Sequence, residues 1–262
     1  MTHPSDSPAP QPSTMIGAPG LEIYRNVVVL TGAGISVASG LRPYRGQGGL
    51  WEEDDSLQHL ITASTLASDP GAVWSRFGPL RDQAIAATPN AAHRALTAWE
   101  SFVVEQGGTF TLITQNVDGL HHRAGTQHVI ELHGSVFITQ CSNHDCSLQP
   151  YQDHDSHDSG CPQCTKCDAV LRPGVVLFEE PLPAAAEWHS KRALRDCDLF
   201  MAIGTSGTVS PAANFVRAAK YSQARTLLVN LEPMRPRHPA YDEEYLGPAE
   251  VLLPQMLGFA LD

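Results

Sequence analysis

The sequence predicts an α/β fold in which helices cover both faces of a doubly wound parallel sheet and a small module is inserted. Short apolar or β-branched runs recur along the chain and end in glycine or polar residues, as buried parallel strands do. Helix-length segments separate these runs. Between residues 134 and 173 the periodicity gives way to Cys, His, Asp and Gly, which indicates the inserted module.

Four runs are predicted strands: NVVVLTGAG at 26–34 with its glycine turn, FTLIT at 110–114, DLFMAIGT at 198–205 and TLLVN at 226–230. In open α/β sheets the ligand binds beyond the carboxyl ends of the strands. The unusual polar and glycine residues of this chain follow those ends.

Three helices have recognisable beginnings. Asp69 and Pro70 supply an N-cap and a first helical position. Asn90 caps a second helix, and Ser210 with Pro211 opens a third. The predicted buried faces are Val73, Phe77, Leu80 and Ala84 in the first helix, and Leu96, Trp99 and Val103 in the second.

Composition narrows the classes of function. The 262 residues carry 17 Lys and Arg against 28 Asp and Glu, a net charge of −11, so we expect no direct binding of nucleic acid. No stretch approaches the roughly 18 to 20 apolar residues of a membrane span, so we expect a soluble protein without membrane partners. Residues 1–20 are rich in Pro, Ser and Thr and lack Lys and Arg, which predicts a disordered leader. Secretory signals and mitochondrial transit peptides both carry basic residues, which this leader lacks. We therefore expect an intracellular protein, cytoplasmic or nuclear rather than mitochondrial.

A glycine turn follows the first strand. Gly32 and Gly34 would let backbone amides approach a pyrophosphate. The motif is incomplete because Val37 holds the third glycine position, so a plain tight turn is the competing interpretation. The continuation RPYRGQGGLW at 42–51 describes a long glycine-rich loop with a cation and an aromatic ring, which favours a ligand.

Five of the six cysteines lie within residues 141 to 167. Cys141 and Cys146 form one pair, and Cys161, Cys164 and Cys167 form two overlapping C-x-x-C pairs. Four thiolates from two such knuckles make a closed tetrahedral Zn²⁺ site, which is structural because no position stays open for a substrate. One of the five is therefore spare. The sixth, Cys197, is predicted to be a buried core residue.

Polar residues also follow two strand-like runs. Gln115, Asn116, Asp118 and His133 could all face one crevice at the carboxyl ends of the strands. A histidine there can act as a general base near neutral pH. The alternative is that Asn116 and Asp118 form a turn and that His133 is a hydrogen-bonded core residue.

Taken together, these segments resemble the sirtuins, the NAD-dependent protein lysine deacylases. The likeness extends from about residue 24 to the C-terminus, with the motifs in the order of the family. The segments are GAGISVASG (32–40), YRG (44–46), TQNVDGLHHRAG (114–125), HGS (133–135), the cysteine module, LRPGVVLF (171–178), GTS (204–206) with Pro211, and NLE (230–232).

The resemblance implies a Rossmann-like NAD-binding domain at 21–133 and 174–262, with a helical cofactor-loop insert at 46–89 and a zinc module at 134–173. It implies that His133 is the general base and that Asn116 also takes part in catalysis. The implied NAD-binding residues are Gly32, Ala33, Gly34, Ser36, Tyr44, Arg45, Gln115, Asn116, Asp118, His133, Gly204, Thr205, Ser206, Asn230 and Glu232. The family's spacing to Arg172 selects Cys141, Cys146, Cys164 and Cys167 as zinc ligands and leaves Cys161 spare, although Cys161 and Cys164 also have the spacing of a pair.

The implied substrate is an acyl-lysine protein or peptide, and the acidic net charge favours a basic one. Tyr44 replaces a phenylalanine of the family motif, and Glu179 replaces a glycine in the strand that pairs with substrate. A related branch removes succinyl and malonyl groups with a Tyr and an Arg. Here the matching place offers Phe77 and Leu80, with Arg76 and Arg81 close by but out of register. We therefore expect deacetylation. Mono-ADP-ribosyl transfer and a catalytically weak NAD-binding or zinc-organised interaction protein are the alternatives.

Overall fold

The computed structural model describes residues 20–43, 49, 55–157 and 160–259. The predicted leader falls outside them apart from Gly20. Across the described residues, no helix combines the length and apolar character that a membrane span requires.

The strands are β1 (Asn26–Thr31), β2 (Thr109–Thr114), β3 (Val129–Glu131), β4 (Gly134–Cys141), β5 (Tyr151–Gln152), β6 (Leu171–Val175), β7 (Leu199–Ile203), β8 (Arg225–Asn230) and β9 (Glu243–Leu246). The α-helices are α1 (Ala63–Ser68), α2 (Pro70–Ala86), α3 (Ala91–Glu105), α4 (Leu120–Ala124), α5 (Ala184–Arg195), α6 (Phe215–Tyr221) and α7 (Ala249–Leu257). Segments of 3₁₀ helix span Ala33–Ser39, Asp55–Ile61 and Ala212–Asn214.

The large sheet has six parallel strands in the order β3-β2-β1-β7-β8-β9, which confirms the predicted doubly wound fold. From β1 the chain builds outwards through β2 and β3, and it then returns to the other side of β1 at β7. The strand order therefore reverses between β1 and β7. In such sheets this reversal opens a crevice at the carboxyl ends of the two strands.

Alternate residues of β1 supply the cores on the two faces of the sheet. Val27 and Val29 pack with residues of α3 and α7 on one face. Val28 and Leu30 pack with residues of α5 and α6 on the other. All four side chains are buried, and this explains why the strand is apolar throughout rather than alternating.

The inserted module is a second sheet of three antiparallel strands in the order β5-β4-β6. Helix α2 packs on it, and the Trp74 indole donates to the Leu171 carbonyl over 2.9 Å. Arg81 is fully buried, donates to the Val136 carbonyl and pairs with Asp153 at 3.1 Å. The buried apolar residues of this contact are Ile61, Val73, Phe77, Leu80, Ala84, Val136, Val175 and Leu177.

The predicted helix starts at Asp69 and Asn90 are confirmed, since both side chains accept from backbone amides of the first turn. The predicted buried faces of these two helices are confirmed as well. The predicted start of the third helix, at Ser210 and Pro211, is wrong. The side chain of Ser210 makes no cap, a 3₁₀ turn intervenes, and α6 begins only at Phe215. Strand β9 was not predicted, because its charged residues suit an exposed edge and carry little apolar signal.

Two glycine loops meet backbone to backbone at the reversal between β1 and β7. The Gly34 amide donates to the Gly204 carbonyl over 2.9 Å, and the Gly32 amide donates to the Ile203 carbonyl over 3.0 Å. A Cβ on Gly32 or Gly34 would lie 2.7 Å from backbone atoms of Gly204. Glycine is thus required here by packing, whatever ligand the crevice takes.

We expect Gly204→Ala to be strongly destabilising, by roughly 3 kcal/mol or more. Gly204 has a φ of +60°, and an added Cβ would lie 2.5 Å from the Ile35 amide nitrogen. Neither backbone can move without opening the sheet. Chemical denaturation of the variant measures the loss of unfolding free energy.

Gly107→Ala is the matched control, because Gly107 has a φ of +75° but nothing within 4 Å of an added Cβ. We expect this variant to lose only about 1 kcal/mol of unfolding free energy, the conformational cost of a side chain at positive φ. Equal losses in the two variants would show that the loop contact contributes nothing.

Candidate functional site

The crevice at the strand reversal is lined by side chains that follow β2 and β7. Gln115, the residue after β2, donates from its side chain to the Thr205 hydroxyl over 3.1 Å. Its backbone amide donates to the Thr31 carbonyl at the end of β1 over 2.9 Å. Three neighbouring strands are therefore joined at their carboxyl ends by one glutamine.

Asn116 and Asp118 hold the segment that follows β1. The Asn116 side-chain amide donates to the Gly32 carbonyl and to the Ser36 hydroxyl, both at 3.2 Å. The Ser36 hydroxyl in turn donates to the Asp118 carboxylate over 2.7 Å. The Asp118 carboxylate also accepts from the Leu120 amide over 3.0 Å. All three polar side chains are buried, so these hydrogen bonds are shielded from water.

A second set of contacts joins β7 to β8. The Asn230 side chain accepts from the Thr205 amide over 3.1 Å and donates to the Thr205 carbonyl over 3.0 Å. Ser206 is exposed next to it. Glu232 is exposed beyond β8, and within the described residues no hydrogen bond or ion pair joins it to the others.

His133 lies half-buried after β3, with its Nδ1 3.0 Å from the Gln115 carbonyl oxygen. A carbonyl can only accept, so Nδ1 carries the proton and Nε2 has its lone pair available. Burial lowers the pKa of His133, and the hydrogen bond to Gln115 opposes this. The imidazole is therefore neutral at pH 7, in the tautomer that can accept a proton at Nε2.

Two carboxyl groups near the crevice have altered acidity. Burial raises the pKa of Asp118, while its bonds from Leu120 and Ser36 oppose the rise. Burial, and then the Asp118 carboxylate, raise the pKa of Glu131 to about 7. A raised pKa of this kind accompanies many functional sites, because it reflects a dry environment beside specific partners.

Sequence reasoning missed part of this network. The buried hydroxyls of Thr31 and Thr114 lie 2.9 Å apart, and the Thr31 hydroxyl lies 2.9 Å from His121 Nε2. Thr114 also accepts from the Asn116 amide over 3.0 Å. The available signal was a threonine as the last residue of each of two neighbouring predicted strands.

The structure thus brings most of the predicted site residues to one edge of the sheet. Those joined to one another by hydrogen bonds are Gly32, Gly34, Ser36, Gln115, Asn116, Asp118, His133, Gly204, Thr205 and Asn230. Ala33 begins the 3₁₀ segment between the two glycines. Tyr44 and Arg45 lie outside the described residues.

Glu179 occupies a glycine-like conformation, with a φ of +74°. Its exposed carboxylate accepts from the Ser64 amide over 3.0 Å, in the first turn of α1. The neighbouring Phe178 forms a parallel bridge with Thr62. Glu179 therefore ties the segment after β6 to α1.

Four cysteines form a metal-binding cluster in the inserted module. The Sγ atoms of Cys141, Cys146, Cys164 and Cys167 all lie within 4.8 Å of one another. The pairs Cys141–Cys167 and Cys146–Cys164 are each 3.6 Å apart. Tetrahedral zinc with Zn–S bonds of about 2.3 Å separates its sulfurs by about 3.8 Å, so the cluster is positioned to bind a zinc ion.

Backbone amides two residues further on donate to three of these sulfurs. The donors are Asn143, Leu148 and Lys166, each at 3.4 Å from the sulfur it contacts. Such bonds favour thiolate over thiol. Cys161 is not part of the cluster, and Cys197 is buried as predicted, donating to the Leu194 carbonyl.

Comparison with known proteins gives one consistent family. The Sir2 family model matches residues 32–211. An NAD-dependent protein deacylase of Vibrio parahaemolyticus is 40% identical over 238 residues, covering 89% of this chain and 94% of that protein. NAD-dependent protein deacylase 1 of Pseudomonas aeruginosa is 37% identical, covering 89% of this chain and 93% of that one.

Solved structures with a similar fold are also Sir2 homologues. A mutant Sir2 homologue in complex with ADP-ribose has a TM-score of 0.83 at 30% identity, covering 92% of this chain and 97% of that chain. A Sir2 homologue in complex with NAD has a TM-score of 0.80 at 30% identity, covering 94% and 96%.

We expect Cys164→Ser to lose zinc and to lower the melting temperature, because three thiolates hold the ion poorly and zinc binding is coupled to folding of the module. Cys161→Ser is the matched control and should keep both, since Cys161 lies outside the cluster. Zinc content per chain and thermal unfolding measure the two effects. Zinc loss in Cys161→Ser with retention in Cys164→Ser would reverse the ligand assignment.

Proposed function

This chain belongs to the Sir2 family, and on that premise we propose that it is an NAD-dependent protein lysine deacylase. The activity transfers the acyl group of a modified lysine to ADP-ribose and releases nicotinamide. The relatives from Vibrio parahaemolyticus and Pseudomonas aeruginosa are named NAD-dependent protein deacylases. The observation that carries the proposal is the orientation of His133, whose Nδ1 is held by the Gln115 carbonyl at the edge of the crevice.

The proposed dinucleotide site is the crevice at the strand reversal. The backbones of the two glycine loops meet at its base without side chains in the way. Gly32, Ala33, Gly34 and Ser36 would hold the phosphates and the adjoining ribose. The nicotinamide end would be lined by Gln115, Asn116 and Asp118. The adenosine end would be contacted by Gly204, Thr205, Ser206, Asn230 and Glu232. Tyr44 and Arg45 would belong to the loop over the cofactor.

When bound, NAD supplies a ribose carbon from which nicotinamide departs as the acyl oxygen of lysine attacks. His133 would accept a proton from a ribose hydroxyl at Nε2, since its Nδ1 is already committed to Gln115. Asn116 would orient the reacting ribose, and its own side chain is held by Gly32 and Ser36. The zinc cluster takes no part in these steps, because four sulfurs close its coordination.

An uncharged acyl group such as acetyl suits this chain better than succinyl. An acyl group that carries a carboxylate needs a cation whose N–H donors are free to bind that carboxylate. Arg81 is fully buried, and its donors contact Val136, Thr139, Asp153 and Asp155. Phe77 and Leu80 are buried in the apolar cluster between α2 and the module. We therefore propose deacetylation as the preferred reaction.

A basic protein segment is the substrate that the charge of the chain favours. The net charge is −11, and Glu179 exposes a carboxylate next to the end of β6. One related Sir2 structure contains a deacetylated peptide with 3′-O-acetyl ADP-ribose, at a TM-score of 0.77 and 29% identity. Attraction to lysine-rich segments would weaken as salt is added.

The test is to mix the purified protein with NAD and one peptide carrying acetyl-lysine or succinyl-lysine, and to follow free nicotinamide and deacylated peptide. We expect peptide-dependent release of both products, faster with the acetyl peptide. Labelled ADP-ribose on protein would support mono-ADP-ribosyl transfer instead. NAD binding without turnover would support a catalytically weak interaction protein, and faster succinyl removal would contradict the acyl preference.

We expect His133→Ala to lower kcat by about 10²- to 10⁴-fold, the usual range for loss of a general base. Zinc content and thermal unfolding should stay close to wild type, because His133 lies at the edge of the sheet and not in its core. In the wild type, kcat/KM should fall only below pH 6.5, since the pKa of His133 is lowered from that ordinary value and only the neutral ring accepts a proton.

His189→Ala is the control, because His189 is an exposed residue of α5. Its turnover should match that of the wild type. Near-normal activity in His133→Ala would remove the general-base assignment.

A further inference from the structure

Two histidines lie buried behind the candidate site and have no part in the reaction described above. His93 belongs to α3 and His121 to α4, with 0% and 2% of their surfaces exposed. Their ring centroids are 4.8 Å apart. His93 Nε2 and His121 Nδ1 are both buried, and neither has a hydrogen-bond partner among residues 20–43, 49, 55–157 and 160–259. Buried polar atoms of this kind need an explanation.

The tautomer of His93 follows from its other nitrogen. Nδ1 accepts from the backbone amide of Asn90 over 3.3 Å, as part of the capping box of α3. An amide nitrogen can only donate, so Nδ1 carries no proton. In the neutral ring the proton is therefore on Nε2, the atom without a described partner.

The tautomer of His121 follows from the threonine pair. The Thr31 hydroxyl donates to Thr114, so it has only lone pairs left for His121 Nε2 at 2.9 Å. His121 Nε2 must then be the donor, and its Nδ1 keeps a lone pair. The reverse arrangement would protonate both His93 Nε2 and His121 Nδ1 and leave neither ring an acceptor for the other.

Both rings are neutral at pH 7. Burial, and then Arg94, lower the pKa of His93 to about 4. Burial, followed by His93 and His122, lowers the pKa of His121 well below its ordinary value. One ring consequently offers a donor and the other an acceptor, at a centroid separation of 4.8 Å.

The pair connects the two halves of the crevice wall. On one side, the Asn90 side chain donates to the Ile35 carbonyl over 2.8 Å and to the Ser39 hydroxyl over 3.0 Å, which holds the 3₁₀ segment after the first glycine loop. On the other side, His121 reaches through Thr31 and Thr114 to the amide of Asn116.

We propose that His93 and His121 form a donor–acceptor imidazole pair, His93 Nε2–H towards His121 Nδ1, that positions Asn116 and the 33–39 segment for binding NAD. The positioning role rests on the proposed function, whereas the pairing does not. The two histidines are positioning residues, since each acts through the threonines or the helix cap and not on the substrate. The matching donor and acceptor would also explain why two imidazoles are tolerated in a dry interior.

Ring nitrogens of the ¹⁵N-labelled full chain, measured by long-range ¹H–¹⁵N NMR between pH 5.5 and 8, test the pairing without any activity. We expect His93 and His121 both to be protonated at Nε2 only, and not to titrate. His133 serves as internal contrast, because its proton is expected on Nδ1. An Nδ1 proton on either buried ring, or titration near pH 6.5, would overturn the pairing.

Three variants test the positioning role. His93→Asn keeps an acceptor for the Asn90 amide but is too short to place a donor at the position of Nε2, and His121→Gln keeps a donor for Thr31 but has no acceptor at the position of Nδ1. We expect each to weaken NAD binding roughly five- to tenfold, because one buried partner is left unsatisfied. The KM for the acetyl peptide should stay unchanged. The double variant should bind NAD no more weakly than either single variant, since both partners are then gone.

Additive losses in the double variant, or unchanged NAD affinity in both single variants, would overturn the positioning role. If the variants fail to fold, NAD titrated into the labelled wild type replaces them, and the imidazole signals of His93 and His121 should shift while that of exposed His189 does not. Absence of that shift would equally overturn the role. A wild type that binds no NAD would instead contradict the proposed function and leave the tautomer result standing.

Discussion

The close approach of two backbones at the reversal between β1 and β7 is the constraint on which the rest of the structure depends. Gly34 and Gly204 touch without side chains between them, and their hydrogen bond brings the ends of the two strands together. Only this approach lets Gln115 span from Thr31 to Thr205. The crevice is therefore shaped by packing before any ligand chemistry applies.

Around this contact the protein buries polar side chains of several kinds. Amide, hydroxyl, carboxylate and imidazole groups satisfy one another in a dry environment, where each bond is strong and each missing partner is costly. The same dryness raises the pKa of Asp118 and Glu131 and lowers that of His121. Such a network holds side chains rigidly, which suits the proposed alignment of a cofactor and a peptide at this site.

The inserted module contributes architecture rather than reactivity. Its four sulfurs lie in a closed arrangement at the end of β4 and in the segments between β4 and β6. Arg81 anchors helix α2 to the same small sheet through carbonyls and Asp153, deep in the contact. Because Arg81 is used in this way, it is unavailable to a substrate. The buried Arg81–Asp153 pair therefore stabilises the packing of the module, and it also underlies our expectation that the site accepts uncharged acyl groups.

The sequence by itself determined the parallel sheet, the caps at Asp69 and Asn90, and the presence of a cysteine cluster, because local periodicity, helix termini and C-x-x-C spacing are written in contiguous residues. Which four of the five cysteines bind followed only from the resemblance to the family. It also placed Asn116, Asp118 and His133 at strand ends. Only the tertiary structure decided the tautomer of His133, the burial of Arg81 and the partnership of His93 with His121. Each of these depends on which atoms meet across elements that are distant in the chain, and on how little water is left between them.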